Sequence, residues 1–243
     1  MMPIEVATEP LESPSGLDNI ELSLNRKLPV SDQIYEALRT AIVRVQLLPG
    51  ASISENSIGR RFGVSRTPIR SAVQRLAEEG LIDVFPQQGS FVSPIKLRDI
   101  HDSHFVRRSL ELSILAEAQR LWSTDRSVEA RRSIASHKIA IETGSLDGFL
   151  VGDEDFHRLL TSFANRDGVW SSIAAARARL MRFLCLFGSP ERLPVVITEH
   201  LAIIDALDAG DQARAAKALT DHLDKVFKIL ETVPEKFRHF LTD

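Results

Sequence analysis

The 243-residue sequence has a single cysteine, Cys185, which excludes an internal disulfide and any zinc site built from several thiolates. Cys185 lies in an apolar stretch, RFLCLFG, and is expected to be a core residue rather than a redox switch. No apolar run approaches the roughly 18 residues that a membrane-spanning helix requires. The N-terminal stretch MMPIEVATEPLESPSG lacks a basic start followed by an apolar segment, so no secretory signal is expected and the cytoplasm is the expected location. Internal repeats and low-complexity tracts are also missing. A whole-chain net charge of −3 provides no general attraction for nucleic acid. Two further absences are local: residues 1–100 contain no histidine although the chain has seven, and residues 56–77 contain no acid. What is present, 44% apolar and 26% charged residues, describes an ordinary folded chain of a length that favours two domains.

Residues 1–30 carry Pro3, Pro10, Pro14, Gly16 and Pro29, with five acids against Arg26 and Lys27, which predicts a flexible arm with room for a short ordered stretch around Ile20–Leu24. Apolar residues then recur at helical spacing. Ile34, Ala37, Leu38, Ala41, Ile42 and Val45 predict a helix over 32–46 with Ser31 as N-cap, ended by Pro49-Gly50. A short helix over 55–62, a turn at Gly63 and a third helix over 66–79 follow, the last with Ile69, Ala72, Val73 and Leu76 facing inward. Ile82–Phe85 and Ser90–Ser93 flank a turn built on Pro86 and Gly89, a hairpin signal. Three helices and a hairpin over residues 31–95 describe a winged helix-turn-helix. Beyond residue 96 no strand signal is found, and helices over 97–122, 126–142, 147–164, 168–187, 191–208 and 211–231 predict an antiparallel bundle of about six. The expected fold is therefore mainly α, with a flexible arm (1–30), a DNA-binding head (31–95) and an all-helical domain for effector binding and dimerisation (96–243).

The acid-free window 56–77 holds Arg60, Arg61, Arg66, Arg70 and Arg75, a local charge of +5. Arg66 and Arg70 are four apart and share a helix face that Thr67, Ser71 and Gln74 continue, opposite the apolar face. Arginine binds guanine edges or phosphate through its planar fork, and Thr67 can donate to phosphate. Gly89 at the hairpin tip allows close approach to a sugar-phosphate backbone. An isolated arginine pair would read first as a solvated basic face; the adjoining hairpin and the lack of acids reverse that preference in favour of DNA.

Residues 51–92, ASISENSIGRRFGVSRTPIRSAVQRLAEEGLIDVFPQQGSFV, resemble the winged-helix domain of GntR-superfamily transcription regulators, chiefly in FGVSRTPIR, RLAEEGLI and QQGSFV. The resemblance implies DNA contacts by Arg66, Thr67 and Arg70 and a wing tip at Gly89. Some members carry an arginine at the start of the second helix, where this chain has Asn56.

In the second half, Asp153 and His157 are four apart in VGDEDFHRLL and leave one helix face together. His200 is flanked by Val196, Ile197, Ile203 and Ile204, and His222 by Leu219 and Val226, so both should point inward. Three histidines and one carboxylate from three helices could converge on a metal. Taken singly, each histidine reads first as a hydrogen-bonded core or boundary residue, and Asp153 equally as a first-turn acid favouring the helix dipole. The pair His101 and His104, three apart, could bind metal but is expected instead to be an exposed pair near the linker.

Residues 97–231 are similar to the FCD effector domain of the FadR subgroup, in RRSLE at 107–111, DEDFHRLL…AN at 153–165, EHLAIIDAL at 199–207 and DH at 221–222. The resemblance implies a metal held by Asp153, His157, His200 and His222, zinc first with nickel as the alternative. It also implies a small carboxylate or hydroxy-acid effector at the open metal positions. Arg107 is the candidate for the far end of that anion, against a salt bridge to Glu111 at (i, i+4); Arg158, Arg177 and Arg179 are weaker candidates. The function expected is a homodimeric, operator-binding regulator, by family habit a repressor, and not an enzyme. The alternatives are a regulator whose signal is the ion itself and a metalloenzyme. For the latter, no general base, nucleophile elbow or phosphate-cradling glycine loop is legible.

Overall fold

A computed structural model describes Gly16, Ile20 and residues 22–243. The chain is mainly helical and divides into two compact units. Among the described residues, one unit comprises those up to 101 together with 178–186 and 233–243; the other comprises 102–177 and 187–232. The expectations for residues 1–15, 17–19 and 21 lie outside the described residues.

The first unit opens with α1 (Val30–Val43), which buries Ile34, Tyr35, Leu38, Ala41 and Ile42 on one face. It starts one residue before Ser31, so Ser31 is not its N-cap. The Pro29 carbonyl accepts from the Gln33 backbone N–H, and the Gln33 side chain donates to the Asn25 and Leu28 carbonyls. β1 (Ser52–Ile53) leads into α2 (Glu55–Phe62), where the Ser54 hydroxyl accepts from the Ser57 N–H and Gly63 closes the helix at φ +64°. α3 (Arg66–Glu78) buries Ile69, Ala72, Val73 and Leu76. β2 (Ile82–Phe85) and β3 (Gly89–Val92) form the hairpin, with Phe85 opposite Gly89.

β1 adds to β3 to give a three-stranded antiparallel sheet of order β1-β3-β2. Ile20 is buried in the same core, and its carbonyl accepts from Arg61. β4 (Ile95–Lys96) pairs in parallel with β5 (Leu241–Thr242), a strand after residue 96 that the sequence reading excluded. Two-residue strands are too short to display a period-two pattern.

The second unit contains α4 (Leu97–Arg120) from residue 102, α5 (Thr124–Glu142), α6 (Leu146–Phe163), α7 (Trp170–Phe187) up to Arg177, α8 (Leu193–Asp208), α9 (Gln212–Leu223) and α10 (Lys225–Glu231). Ser123, Ser145 and Asp211 cap α5, α6 and α9 through their side chains. The core gathers Phe156, Leu160, Ile173, Ile203, Ile204, Leu207 and Leu219. The single helix expected over 211–231 is broken at Asp224, which ends α9 and starts α10. The Asp224 carboxylate is engaged by His104 Nε2 at 2.7 Å. His104 is therefore buried rather than exposed with His101. Cys185 is only partly buried. Among the described residues no helix is long and apolar enough to cross a membrane.

Candidate functional site

On α3 the apolar residues that pack inward leave Arg66, Thr67, Arg70, Ser71 and Gln74 exposed on the other face. Arg70 remains 71% exposed while its Nε lies 3.1 Å from Glu55 Oε2. Arg75 pairs with Asp32 at 2.7 Å and stacks 3.8 Å above the Tyr35 ring. The +5 counted over 56–77 is thus partly balanced by Glu55 and Asp32, acids that lie outside the window in sequence and beside it in space. Gly89 is exposed at the hairpin tip with φ +117°, a conformation that side-chain-bearing residues rarely adopt.

In the helical unit Asp153 and His157 of α6, His200 of α8 and His222 of α9 each offer a ligand atom, all within 4.8 Å of one another, and all four residues are buried. Asp153 sits mid-helix; the first-turn acid of α6 is Asp147. His200 is fully buried and stacked on Phe156 at 4.0 Å. Its Nε2 lies 3.6 Å from Asp153 Oδ1. Among the described residues neither nitrogen of His200 has a hydrogen-bond partner. Leaving a polar atom buried and unmatched costs about 1–3 kcal/mol, so donor atoms arranged in this way suit a metal ion better than a packed core. The donor set, imidazole nitrogens and one carboxylate, fits a divalent transition metal.

Two carboxylates stand behind the histidines. His222 Nδ1 donates to Glu199 Oε2 at 2.8 Å, and Glu199 is itself gripped by both terminal nitrogens of Arg192. His157 Nδ1 lies 2.6 Å from Glu111 Oε2, within ion-pair contact. Such outer carboxylates orient a ligating imidazole and raise its basicity. Neither was foreseen as an outer partner. Glu111 appeared only as the helical neighbour of Arg107, and nothing in the sequence connects Glu199 to a histidine 23 positions away.

Two buried arginines complete the cluster. Arg107 Nε donates to Glu111 Oε1 at 2.7 Å and Arg177 Nη2 to Asp153 Oδ2 at 2.6 Å, while Arg107 Nη2 and Arg177 Nη1 have no partner among the described residues. Arg107 makes the (i, i+4) bridge and keeps a spare donor. Arg177 is drawn into the site. Arg158 is exposed, and Arg179 donates to the Glu79 carbonyl.

Burial alone would raise the Asp153 and Glu111 carboxyls, but Arg177 holds the first well below its usual range and Arg107 lowers the second. Burial depresses His200 well below the imidazole range and brings His157 down to about 4 against the pull of Glu111. His157 and His200 are therefore neutral and Asp153 and Glu111 ionised near neutral pH, the protonation states a metal requires.

An exposed arginine-bearing helix beside a wing, in one chain with a helical domain enclosing a buried polar cluster, defines a helix-turn-helix transcription regulator. The chain matches the bacterial regulatory proteins of the gntR family over residues 30–92 and the FCD domain over residues 102–225. It is 32% identical over 218 residues to the HTH-type transcriptional repressor RspR of Escherichia coli K12, covering 89% of this chain and 96% of that protein. It is 28% identical over 197 residues to a probable D-xylose utilization operon transcriptional repressor of Paenarthrobacter nicotinovorans, covering 80% and 85%. Among solved structures, E. coli McbR/YncC shares the fold with a TM-score of 0.72 at 21% identity, over 84% of this chain and 98% of that one. A putative GntR regulator from Rhodococcus sp. RHA1 matches with a TM-score of 0.69 at 25% identity, over 84% and 99%. The chain belongs to the gntR family of DNA-binding transcription regulators and carries an FCD domain of the FadR-like kind.

Proposed function

We propose that this regulator is a repressor whose affinity for operator DNA is set by a small carboxylate or hydroxy acid bound at a metal centre in the helical domain. One observation carries the reading: four buried ligand atoms within 4.8 Å of one another stand beside two buried arginines, each with an unmatched donor. Asp153, His157, His200 and His222 hold the ion, zinc by donor set and nickel as the alternative. A bound ion supplies positive charge and open coordination positions for an acid's oxygens. Arg107 receives the far carboxylate through Nη2, with Glu111 holding the guanidinium in place.

Residues 31–95 form the reading head. Arg66 and Arg70 grip base edges or phosphate, Thr67 donates to phosphate, and Gly89 brings the wing tip against the backbone. A homodimer presents two such heads to a two-fold operator. Effector binding in residues 96–243 changes operator affinity by as much as the acid's affinity differs between the DNA-competent and released states. The same DNA target puts the protein in the cytoplasm.

The test is operator binding by fluorescence anisotropy with the metal-loaded protein, with and without a panel of small carboxylic acids. Release by an acid, dependent on both metal and Arg107, is the expected result. A response to metal alone makes the ion the signal, and consumption of the acid makes the protein a metalloenzyme. A protein that neither contains nor takes up metal defeats the proposal.

A further inference from the structure

A fourth histidine lies against the cluster. His137 of α5 is 1% exposed, and among the described residues its ring nitrogens meet no side-chain hydrogen-bond partner. Its ring centroid is 4.4 Å from Phe149 and 5.8 Å from that of His200, inclined 37° to the latter. The backbone makes room for it. A Cβ at Gly152 would come within 2.8 Å of the ring, so α6 carries glycine there, immediately before the ligand Asp153. Ile134 and Ala140 are buried on the same helix face, so packing alone would be served by another aliphatic residue at 137.

The three ligand histidines are not held alike. His157 faces Glu111 and His222 donates to Glu199, whereas His200, with Nε2 towards Asp153, has no carboxylate behind Nδ1 among the described residues. A ligating imidazole generally gives its second N–H to an outer acceptor, and this fixes both tautomer and ring direction. Outside the four ligand residues, His137 is an unmatched polar group whose ring lies beside that of His200. A water bridging two polar groups serves nearly as well as a direct hydrogen bond, so contact between the two rings need not be direct. A neutral imidazole carries one acceptor nitrogen besides its N–H, which His137 can offer to His200.

We propose that His137 is the positioning residue of His200, a neutral outer partner where the other two histidines have carboxylates. This rests on reading the cluster as a metal site. A neutral acceptor enhances ligand basicity less than a carboxylate, which makes His200 the ligand most sensitive to loss of its support.

The test compares His137→Gln, His137→Phe and Gly152→Ala in the full chain. Zinc affinity is measured by competition with a chromophoric chelator, the visible spectrum with cobalt in place of zinc, and melting in the metal-free form. We expect His137→Phe to weaken zinc binding about 10–100-fold, with an altered cobalt spectrum and little change in metal-free melting. His137→Gln should restore most of the affinity, and Gly152→Ala, by displacing the ring, should behave like His137→Phe. Wild-type affinity in a folded His137→Phe variant overturns the proposal. Equal losses of affinity and metal-free stability that glutamine fails to rescue reduce His137 to packing and overturn it too. A wild-type protein that binds no zinc overturns the underlying metal reading instead, and is recognised before any variant is made.

Discussion

Acidification of the metal-free protein should destabilise it well above the pH at which ordinary carboxylates titrate. Burial brings His157 from 6.5 down to about 4. Above pH 6.5 neither the folded nor the unfolded chain protonates this imidazole. Between 6.5 and 4 the unfolded chain binds a proton that the folded chain refuses, so stability falls as pH falls. At about 1.4 kcal/mol per pH unit, His157 alone removes about 2 kcal/mol by pH 5 and about 3 kcal/mol by pH 4. His200 and His137, also lowered by burial, act in the same direction. Asp153, Glu111 and Glu199 are held low despite burial, and their contribution is lost only as pH falls through the carboxylate range and below, so they deepen the loss without setting its onset. Urea unfolding followed by fluorescence reports on the helical unit, because both tryptophans, Trp122 and Trp170, lie in it. His157→Gln, which cannot take up the proton, should reduce the loss between pH 7 and 5 by about 2 kcal/mol and leave the share of His200 and His137. Equal stability of the metal-free wild type at pH 7 and pH 5, or a His157→Gln variant with the wild-type slope, would refute this reasoning.

Arg66→Ala or Arg70→Ala should each weaken specific operator binding by about 1–3 kcal/mol in anisotropy titrations while metal content stays at the wild-type level; a joint loss of metal would deny that the two sites are separable. His200→Ala should leave the purified protein with little bound zinc by elemental analysis, and retention of a full complement would remove His200 from the ligand set. Phe156→Ala removes a fully buried ring stacked on His200. It should cost about 3–5 kcal/mol in urea unfolding and loosen the metal as well; a change below 1 kcal/mol would mean that the cavity closes without consequence.

Much of this molecule is legible along the chain because its information is local. The apolar spacing of α3 names its four buried residues, Ile69, Ala72, Val73 and Leu76, and leaves Arg66, Thr67 and Arg70 on the outer face. The Asp153–His157 spacing on α6 and the apolar flanks of His200 and His222 likewise mark the four residues that the fold gathers. Where elements are short or their ends depend on distant partners, the sequence is a poorer guide. β1, β4 and β5 are two-residue strands whose pairing is their only signature. The break at Asp224 goes with its bond to His104, 120 residues away.

The same division applies to the site. Periodicity and residue type by themselves determined which side chains face inward and which chemistry they offer, because both follow from the helical repeat and the side chain. Tertiary structure alone decided what stands behind them: Glu199 beneath His222, Glu111 beneath His157, Arg177 on Asp153 and His137 beside His200. It also turned an apparent +5 window into a partly neutralised surface by bringing Glu55 and Asp32 to Arg70 and Arg75. Charge and hydrogen bonding act over a few ångströms of space rather than along the chain, so these partners exist only once the helices have packed.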